Sequence, residues 1–272
     1  MDPIVRVERR SRVLEMTLDH PKVNAVSRRL SRELYAAARL LHEDPELQAG
    51  LITGAGTRAF SAGWDFNEAV ADADAGNAAL ENQPGGEESG ASFGGITAFH
   101  DLYKPLIAAV QAPAIGGGFE IALACDMILM AEDAFFQLPE MDRGILPDAG
   151  GLQRLPRRIP YNVAMGMMLT GRRMDAAEAL HWGLVHSVHP RDELLDAARD
   201  LAGTISQGAP LALQALKEVM LAIEQMPLPE AMDIIRKTPD HLAMYRRMLK
   251  SGDAKEGPRA YLEKRAPVWR GE

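Results

Sequence analysis

Residues 106–131 read LIAAVQAPAIGGGFEIALACDMILMA. An apolar run from Leu106 to Val110 meets a turn holding Pro113 and three successive glycines, Gly116 to Gly118. An apolar helix from Phe119 to Cys125 and a second apolar run from Met127 to Ala131 follow. Short unbroken apolar runs bounded by turn residues are typical of strands buried on both faces, so the stretch predicts strand, turn, helix, strand. Together with Pro105 it is the most apolar part of the chain, yet Gln111, Glu120 and Asp126 interrupt it. No uncharged apolar run approaches the roughly 18 residues that a membrane helix needs, so the stretch is expected to form buried core.

The same alternation extends outward in both directions. A third apolar run covers Ala134 to Leu138, a short strand is expected at Gly50 to Thr53, and a last one at Leu184 to Val188. At the N-terminus Val5 and Val7, then Leu14, Met16 and Leu18, alternate with polar residues across Arg9-Arg10-Ser11, the period-two pattern of a hairpin with one wet face. Ser27 can cap a helix whose apolar stripe is Leu30, Leu34, Ala37 and Leu41, ending before Asp44-Pro45. These elements predict an α/β architecture with largely buried strands. Toward the C-terminus the pattern turns helical: Asp175 and Glu178 suit a capping box, and Leu194, Ala198, Leu201 and Ile205 form one stripe. A core over residues 1–205 and a helical region over 206–272 are expected.

Composition limits what such a chain can do. The 272 residues, 47% hydrophobic and 25% charged, match a folded chain of about one large domain. The 30 Lys and Arg against 38 Asp and Glu leave a net charge of −8, which disfavours general attraction to nucleic acid or anionic membrane, so the expected partner is a small molecule. A single cysteine, Cys125, can form neither an internal disulfide nor a thiolate metal cluster and fits a reducing compartment, the cytoplasm. The opening MDPIVRVERRSRVLEMTLDHP lacks the apolar core of a signal peptide. From Glu68 to Gly95 the chain is rich in Ala, Gly, Asp and Glu, and reads either as a solvated insertion or as a pocket cover.

The motif GxxxxGK[ST], a GxGxxG after a strand, GxSxG and HExxH are all missing, and the seven histidines have no metal-ligand spacing. Two glycine-bearing segments remain, AFSAGWDFNE at 59–68 and PAIGGGFEIALACD at 113–126. The glycines are either packing-driven turns or a site where helix-start N–H groups meet a developing negative oxygen. Glu120 falls in the first turn of an otherwise apolar helix, where burial would raise its pKa toward the range useful for proton transfer. Glu140 follows the strand AFFQLP. The bland alternatives are an ordinary N-terminal helix acid for Glu120 and a solvated loop acid for Glu140.

In order, the segments FSAGWD (60–65), IGGGFEIALACD (115–126) and PEMDRGILPDAGGLQRLPR (139–157) resemble the enoyl-CoA hydratase/isomerase, or crotonase, superfamily, and the likeness runs from about Ile4 to the C-terminus. Within it FSAGWD, LTGRRMDAAEALHWGLV (169–185) and EGPRAYLEKRAPVWRGE (256–272) are most similar to the subgroup of carnitinyl-CoA dehydratases. The resemblance implies a crotonase-like spiral of ββα turns, a C-terminal helical region that packs in trimers or hexamers, and an acyl-CoA thioester substrate with no separate cofactor or metal. It implies an oxyanion hole from the backbone N–H groups of Ala62 and Gly117, with Glu120 handling water at Cβ and Glu140 the proton at Cα. Gly63, Asp65 and Gly116 belong to the same segments, and the adenine is expected near the turn Lys22 to Ala25. The acidic stretch between Asn67 and Ile96 is longer than the family pattern.

Two alternatives accompany the hydratase reading, and some residue assignments stay open beside it. Asp148, eight residues after Glu140, resembles the acid of dienoyl-CoA isomerases, or else caps the helix that follows. A non-catalytic relative binding RNA or a protein partner would need features that the intact acid pair and the net charge speak against. Lys264 and Arg265 either reach the 3′-phosphate of a neighbour's CoA or form a solvated face. The subgroup's substrate carries a trimethylammonium group, best held by aromatic faces. Trp64, Phe66, Phe93 and Phe99 are the candidates, Trp64 being equally suited to pack beneath the glycine turn.

Overall fold

The computed structural model describes residues 2–74, 92–237 and 241–272. Strands β1 (Val5–Arg10) and β2 (Val13–Leu18) form the expected antiparallel hairpin. From there β3 (Ala49–Gly54), β4 (Leu106–Val110), β6 (Met127–Ala131) and β9 (Ser187–His189) add in parallel, giving a six-stranded sheet in the order β1-β2-β3-β4-β6-β9. Every residue of β3 and β4 is buried, which is why both read as continuous apolar runs rather than alternating ones.

A second, smaller sheet contains β5 (Ala114–Ile115), β7 (Phe135–Gln137) and β8 (Arg173–Asp175), and a bridge from Ser61 to Ala114 extends it toward the 59–65 segment. The chain therefore advances in repeated turns: a long strand in the first sheet, a short one in the second, then a helix. In one turn β4 and β5 lead into α3 (Gly117–Ala124), after α1 (Arg28–Glu43) and α2 (Phe66–Asp74). The stacked rings of Phe119 and Phe136, 4.3 Å apart, join α3 to β7 in the core.

Local signals explain several boundaries. The Ser27 hydroxyl accepts from the Leu30 amide to start α1, and the buried ammonium of Lys104 donates to the carbonyls of Leu41 and Asp44 at its end, 2.7 and 2.6 Å away. Asp175 caps α6 (Ala176–His181) by accepting from the Glu178 amide. The Glu178 carboxylate instead takes two bonds from Arg172, so only half of the expected capping box forms.

Other expectations need correction. The hairpin has no wet face on β2: Glu15 is buried, and Arg199 holds it from α7 (Arg191–Ser206), a helix that packs across the sheet. The last strand begins at Ser187 rather than Leu184, because Leu184 and Val185 fill the core from a turn. Helix α3 starts two residues before Phe119, which makes Gly116 its N-cap. The 68–95 stretch begins inside α2 and returns with Phe93 as a core residue, while residues 75–91 lie outside the described residues.

After Ser206 the described elements are all helices: α8 (Pro210–Ile223), α9 (Leu228–Lys237), α10 (Ala243–Lys250) and α11 (Asp253–Leu262). Glu218 of α8 accepts from the amides of Met244 and Tyr245, and Asp253 accepts from those of Arg270 and Gly271, tying the tail back. Among the described residues no helix is long and apolar enough to cross a membrane.

Candidate active site

Two backbone turns meet where the second sheet faces α3. The turn at 22–26 is laced onto 59–65: the Ala62 amide donates to the Val23 carbonyl, the Val26 amide to Gly63, and the Asp65 amide to Val26. Gly63 has a φ of +81°, and a methyl group there would lie 2.6 Å from the Ile115 carbonyl oxygen and 2.9 Å from the Gly117 nitrogen. Only glycine permits this conformation and this approach. Gly116, with a φ of +53°, lets the Glu140 carboxylate come as near: a methyl group would sit 2.7 Å from its Oε1.

Beside this close approach lies a narrow cleft of about 80 Å³. Ala62, Gly63, Trp64, Gly116 and Gly117 line it together with Glu120, Glu140 and Asp148. Sequence spacing could not establish this convergence. Glu120 rises from the first turn of α3, and Glu140 opens a 3-10 turn (Glu140–Arg143) directly after β7. Both are buried, which removes the solvated-loop alternative for Glu140.

Burial dominates the electrostatics of the pair. It pushes the Glu120 carboxyl up from 4.5 to about 8, against the Gly151 amide that donates to its Oε1 at 2.8 Å, with the charges of Glu140 and Asp148 adding to the rise. Burial likewise raises Glu140 to about 7, with Arg143 opposing and Asp148 assisting. Among the described residues Glu140 Oε2 is a buried side-chain oxygen with no hydrogen-bond partner. That oxygen does not fasten the fold, and a buried polar atom without a partner is a candidate for a functional role.

The Ala62 amide does not fit the role expected of it. Its hydrogen is already donated to the Val23 carbonyl at 3.0 Å. The next amide, Gly63, donates to the Ser61 hydroxyl at 3.2 Å. Among the described residues the Trp64 and Gly117 amides have no acceptor, and both belong to cleft-lining residues. The sequence carried no sign of this one-residue difference from Ala62 to Trp64, because it depends on which amides the 22–26 turn consumes.

The remaining candidates separate cleanly. Trp64 both lines the cleft and packs against the core, its ring 5.9 Å from that of Phe66. Phe66 and Phe93 line the cleft, whereas Phe99 packs with Tyr35 and His42 instead. Arg143, which sequence reasoning missed, lines the same cleft with its guanidinium 5.7 Å from the Phe66 ring centre. Asp148 is not a helix cap, since the N-cap of α4 (Gly151–Arg158) is Gly150.

Asp65 is not among the residues that line the cleft, and its carboxylate accepts from the backbone and side-chain amides of Asn67 near the start of α2. Lys22 and Ala25 lie on the laced turn outside the cleft, and Arg265 is engaged by Glu256 and Glu263. Among the described residues no group of three His, Cys, Asp or Glu side chains is placed to hold a metal ion.

Comparison with known proteins identifies the family. Residues 8–272 match the family described as Enoyl-CoA hydratase/isomerase. A carnitinyl-CoA dehydratase of Salmonella typhi is 46% identical over 271 residues, covering 100% of both chains, and that of Salmonella agona is equally similar. Among solved structures, an enoyl-CoA hydratase of Mycobacterium tuberculosis superposes with a TM-score of 0.85 at 36% identity over 100% of both chains. One from Bacillus anthracis gives 0.84 at 30% identity over 99% of this chain and 100% of that one. The chain belongs to the enoyl-CoA hydratase/isomerase family and has the crotonase fold. The relatives named carnitinyl-CoA dehydratase and enoyl-CoA hydratase are hydro-lyases, and the chain is an enzyme of their family.

The raised acid makes a prediction about stability. Between pH 4.5 and about 8 the buried Glu120 and Glu140 pair retains a proton that the unfolded chain has lost, with Glu120 raised the further, so stability falls as pH rises through this window. Glu120→Gln, which still accepts from Gly151, is expected to melt at the same temperature as the parent near pH 4.5 and increasingly above it toward pH 8. Parallel melting curves across the range would contradict the elevated pKa.

Proposed function

We propose that this enzyme adds water reversibly across the Cα–Cβ double bond of a 2-enoyl-CoA thioester, using no cofactor beyond the CoA of its substrate. The observation that carries this reading is the convergence, in one cleft, of two unengaged amides and two buried carboxyls of raised pKa. The thioester oxygen accepts from the Trp64 and Gly117 amides. As water attacks Cβ its proton passes to the ionised member of the pair, and the C=C electrons move onto that oxygen as an enolate. The protonated member then delivers its proton to Cα, and the electron pair returns. Charge developing on the oxygen dominates the barrier, and a preorganised donor there is typically worth about 10²–10³ in rate.

Glu120 is assigned to the water and Glu140 to Cα. Two carboxyls this close titrate as a pair, so one proton is shared near neutrality and its location changes with the direction of reaction. Glu120→Gln and Glu140→Gln are each expected to lower hydration of crotonyl-CoA by at least about 10²-fold while folding is retained. The decay of enoyl-thioester absorbance measures this, and near-normal turnover by either folded variant would remove the mechanism.

A second reading, enoyl- or dienoyl-CoA isomerisation through Glu140 and Asp148, is favoured by one observation: Asp148 lines the cleft and is not a cap. Here an acid moves a proton along the acyl chain without water. Asp148→Asn separates the two. The hydratase reading expects hydration to persist with only a displaced pH profile, and loss of diene isomerisation with hydration intact would promote the isomerase.

For the acyl group we infer crotonobetainyl-CoA and carnitinyl-CoA. The full-length relatives named carnitinyl-CoA dehydratase support this, and the cleft supplies acids with Trp64 at its wall. Arg143 already covers the Phe66 ring, so Trp64 is the aromatic best suited to a trimethylammonium group. The CoA arm would enter between the glycine segments, with the adenine near Lys22 to Ala25. Exposed Leu216, Met220, Leu221, Leu228 and Met232 on the C-terminal helices support assembly as a trimer or a hexamer, and the lone cysteine supports a cytoplasmic setting. Crotonobetainyl-CoA is expected to be turned over in preference to crotonyl-CoA, and Trp64→Leu to narrow the ratio of kcat/KM values by roughly 5- to 30-fold. Equal turnover of both thioesters by the parent enzyme would instead indicate a general short-chain hydratase.

A further inference from the structure

The segment 61–65 poses a selection problem. It presents successive amides beside the cleft, and an oxyanion needs one of them aimed and the others silenced. The Ala62 amide is taken by the Val23 carbonyl at 3.0 Å, the Gly63 amide by the Ser61 hydroxyl at 3.2 Å, and the Asp65 amide by the Val26 carbonyl at 3.0 Å. In the run 62–65 only the Trp64 amide is left without an acceptor among the described residues.

Two buried side chains connect these bonds, and neither touches the cleft. The Ser61 hydroxyl, fully buried, donates to the Asn24 carbonyl at 2.7 Å while accepting from Gly63. Asn24 is 3% exposed; its Nδ2 lies 3.1 to 3.2 Å from the carbonyls of Ala55, Ala59 and Phe60, and its Oδ1 accepts from the His20 amide. Asn24 has a φ of +52°, a conformation that Asn adopts more readily than other side chains. One residue thus holds the 22–26 turn against the 55–60 loop, and the next holds Gly63 in the conformation that precedes Trp64.

We propose that Asn24 and Ser61 are positioning residues that fix the Trp64 amide as the oxyanion donor, acting through the backbone and not on the substrate. This rests on the reading of Trp64 and Gly117 as the donors. A displacement of about 1 Å at such a donor can cost roughly 10² in rate while leaving the body of the substrate bound, so the loss falls on kcat more than on KM.

The test uses Ser61→Ala and Asn24→Gly. The first removes one hydroxyl, and the second keeps the positive φ and the carbonyl that Ser61 uses. Each is read by crotonyl-CoA kinetics and by difference infrared spectra of bound butyryl-CoA carrying ¹³C at its thioester carbonyl, a probe that cannot take up water. The parent enzyme is expected to lower the carbonyl stretch relative to free butyryl-CoA. Each folded variant is expected to recover a large part of that shift and to lose about 10- to 100-fold in kcat, with KM changed by less than about threefold. Parent-like carbonyl frequency and kcat in either folded variant would overturn the proposal while leaving the donors in place. An unshifted carbonyl in the parent would overturn the oxyanion hole itself and the proposal with it.

Discussion

The close approach of two backbones, Gly63 against Ile115 and Gly117, is the constraint on which the site depends. At 2.6 and 2.9 Å from the place a methyl group would take, no side chain fits, so the contact exists only because the short strands of the second sheet draw both turns together. Everything chemical follows from that contact. It brings Trp64 and Gly117 to the lining of one cleft, and the helix beginning at Gly117 carries Glu120 into the same lining. The next turn of the chain brings the Glu140 carboxylate against Gly116. A fold that advances by repeated strand, strand and helix has this property built in, because successive turns place equivalent glycine corners side by side.

Burial then does to the two carboxyls what their sequence neighbours could not. Neither Glu120 nor Glu140 faces a guanidinium at salt-bridge distance among the described residues, and removal from water raises both above the ordinary carboxylate range. Gly151 restrains one oxygen of Glu120, whereas Glu140 Oε2 is left without a partner. The contrast with Glu15 is instructive. That acid is equally buried but is held by Arg199 and Arg10, and it serves to dock α7 on the sheet. The difference lies in the partner, not in the residue type or in the depth of burial.

Much of this was legible from particular residues. Leu106 to Val110 and Met127 to Ala131 read as buried strands and are, Ser27 starts its helix, and Glu120 sits in the first turn of an apolar one. Three-residue β8 was not legible, since Arg173–Asp175 is too short to display a period, and neither was the covered face of β2, where a polar Glu15 signalled solvent and met an arginine. Asp148 read equally as a site acid or as a cap, since Asp before glycines is a common one, but the helix begins two residues later than such a cap requires.

By itself the sequence determined the order of elements and the glycine corners, because these follow from local pattern of apolar period and turn residues. It marked Glu120 as a charged side chain where burial is expected, while Glu140, an acid after a strand, was given its role only by the family resemblance. Only the tertiary structure decided which amide beside the cleft is left without an acceptor. That it is Trp64 and not Ala62 depends on the Val23 carbonyl, nearly forty residues back in the chain, and on the turn that Asn24 and Ser61 tie in place. A backbone N–H is the same in every residue but proline, so its availability is written not in its own identity but in what else the fold has given it to bond.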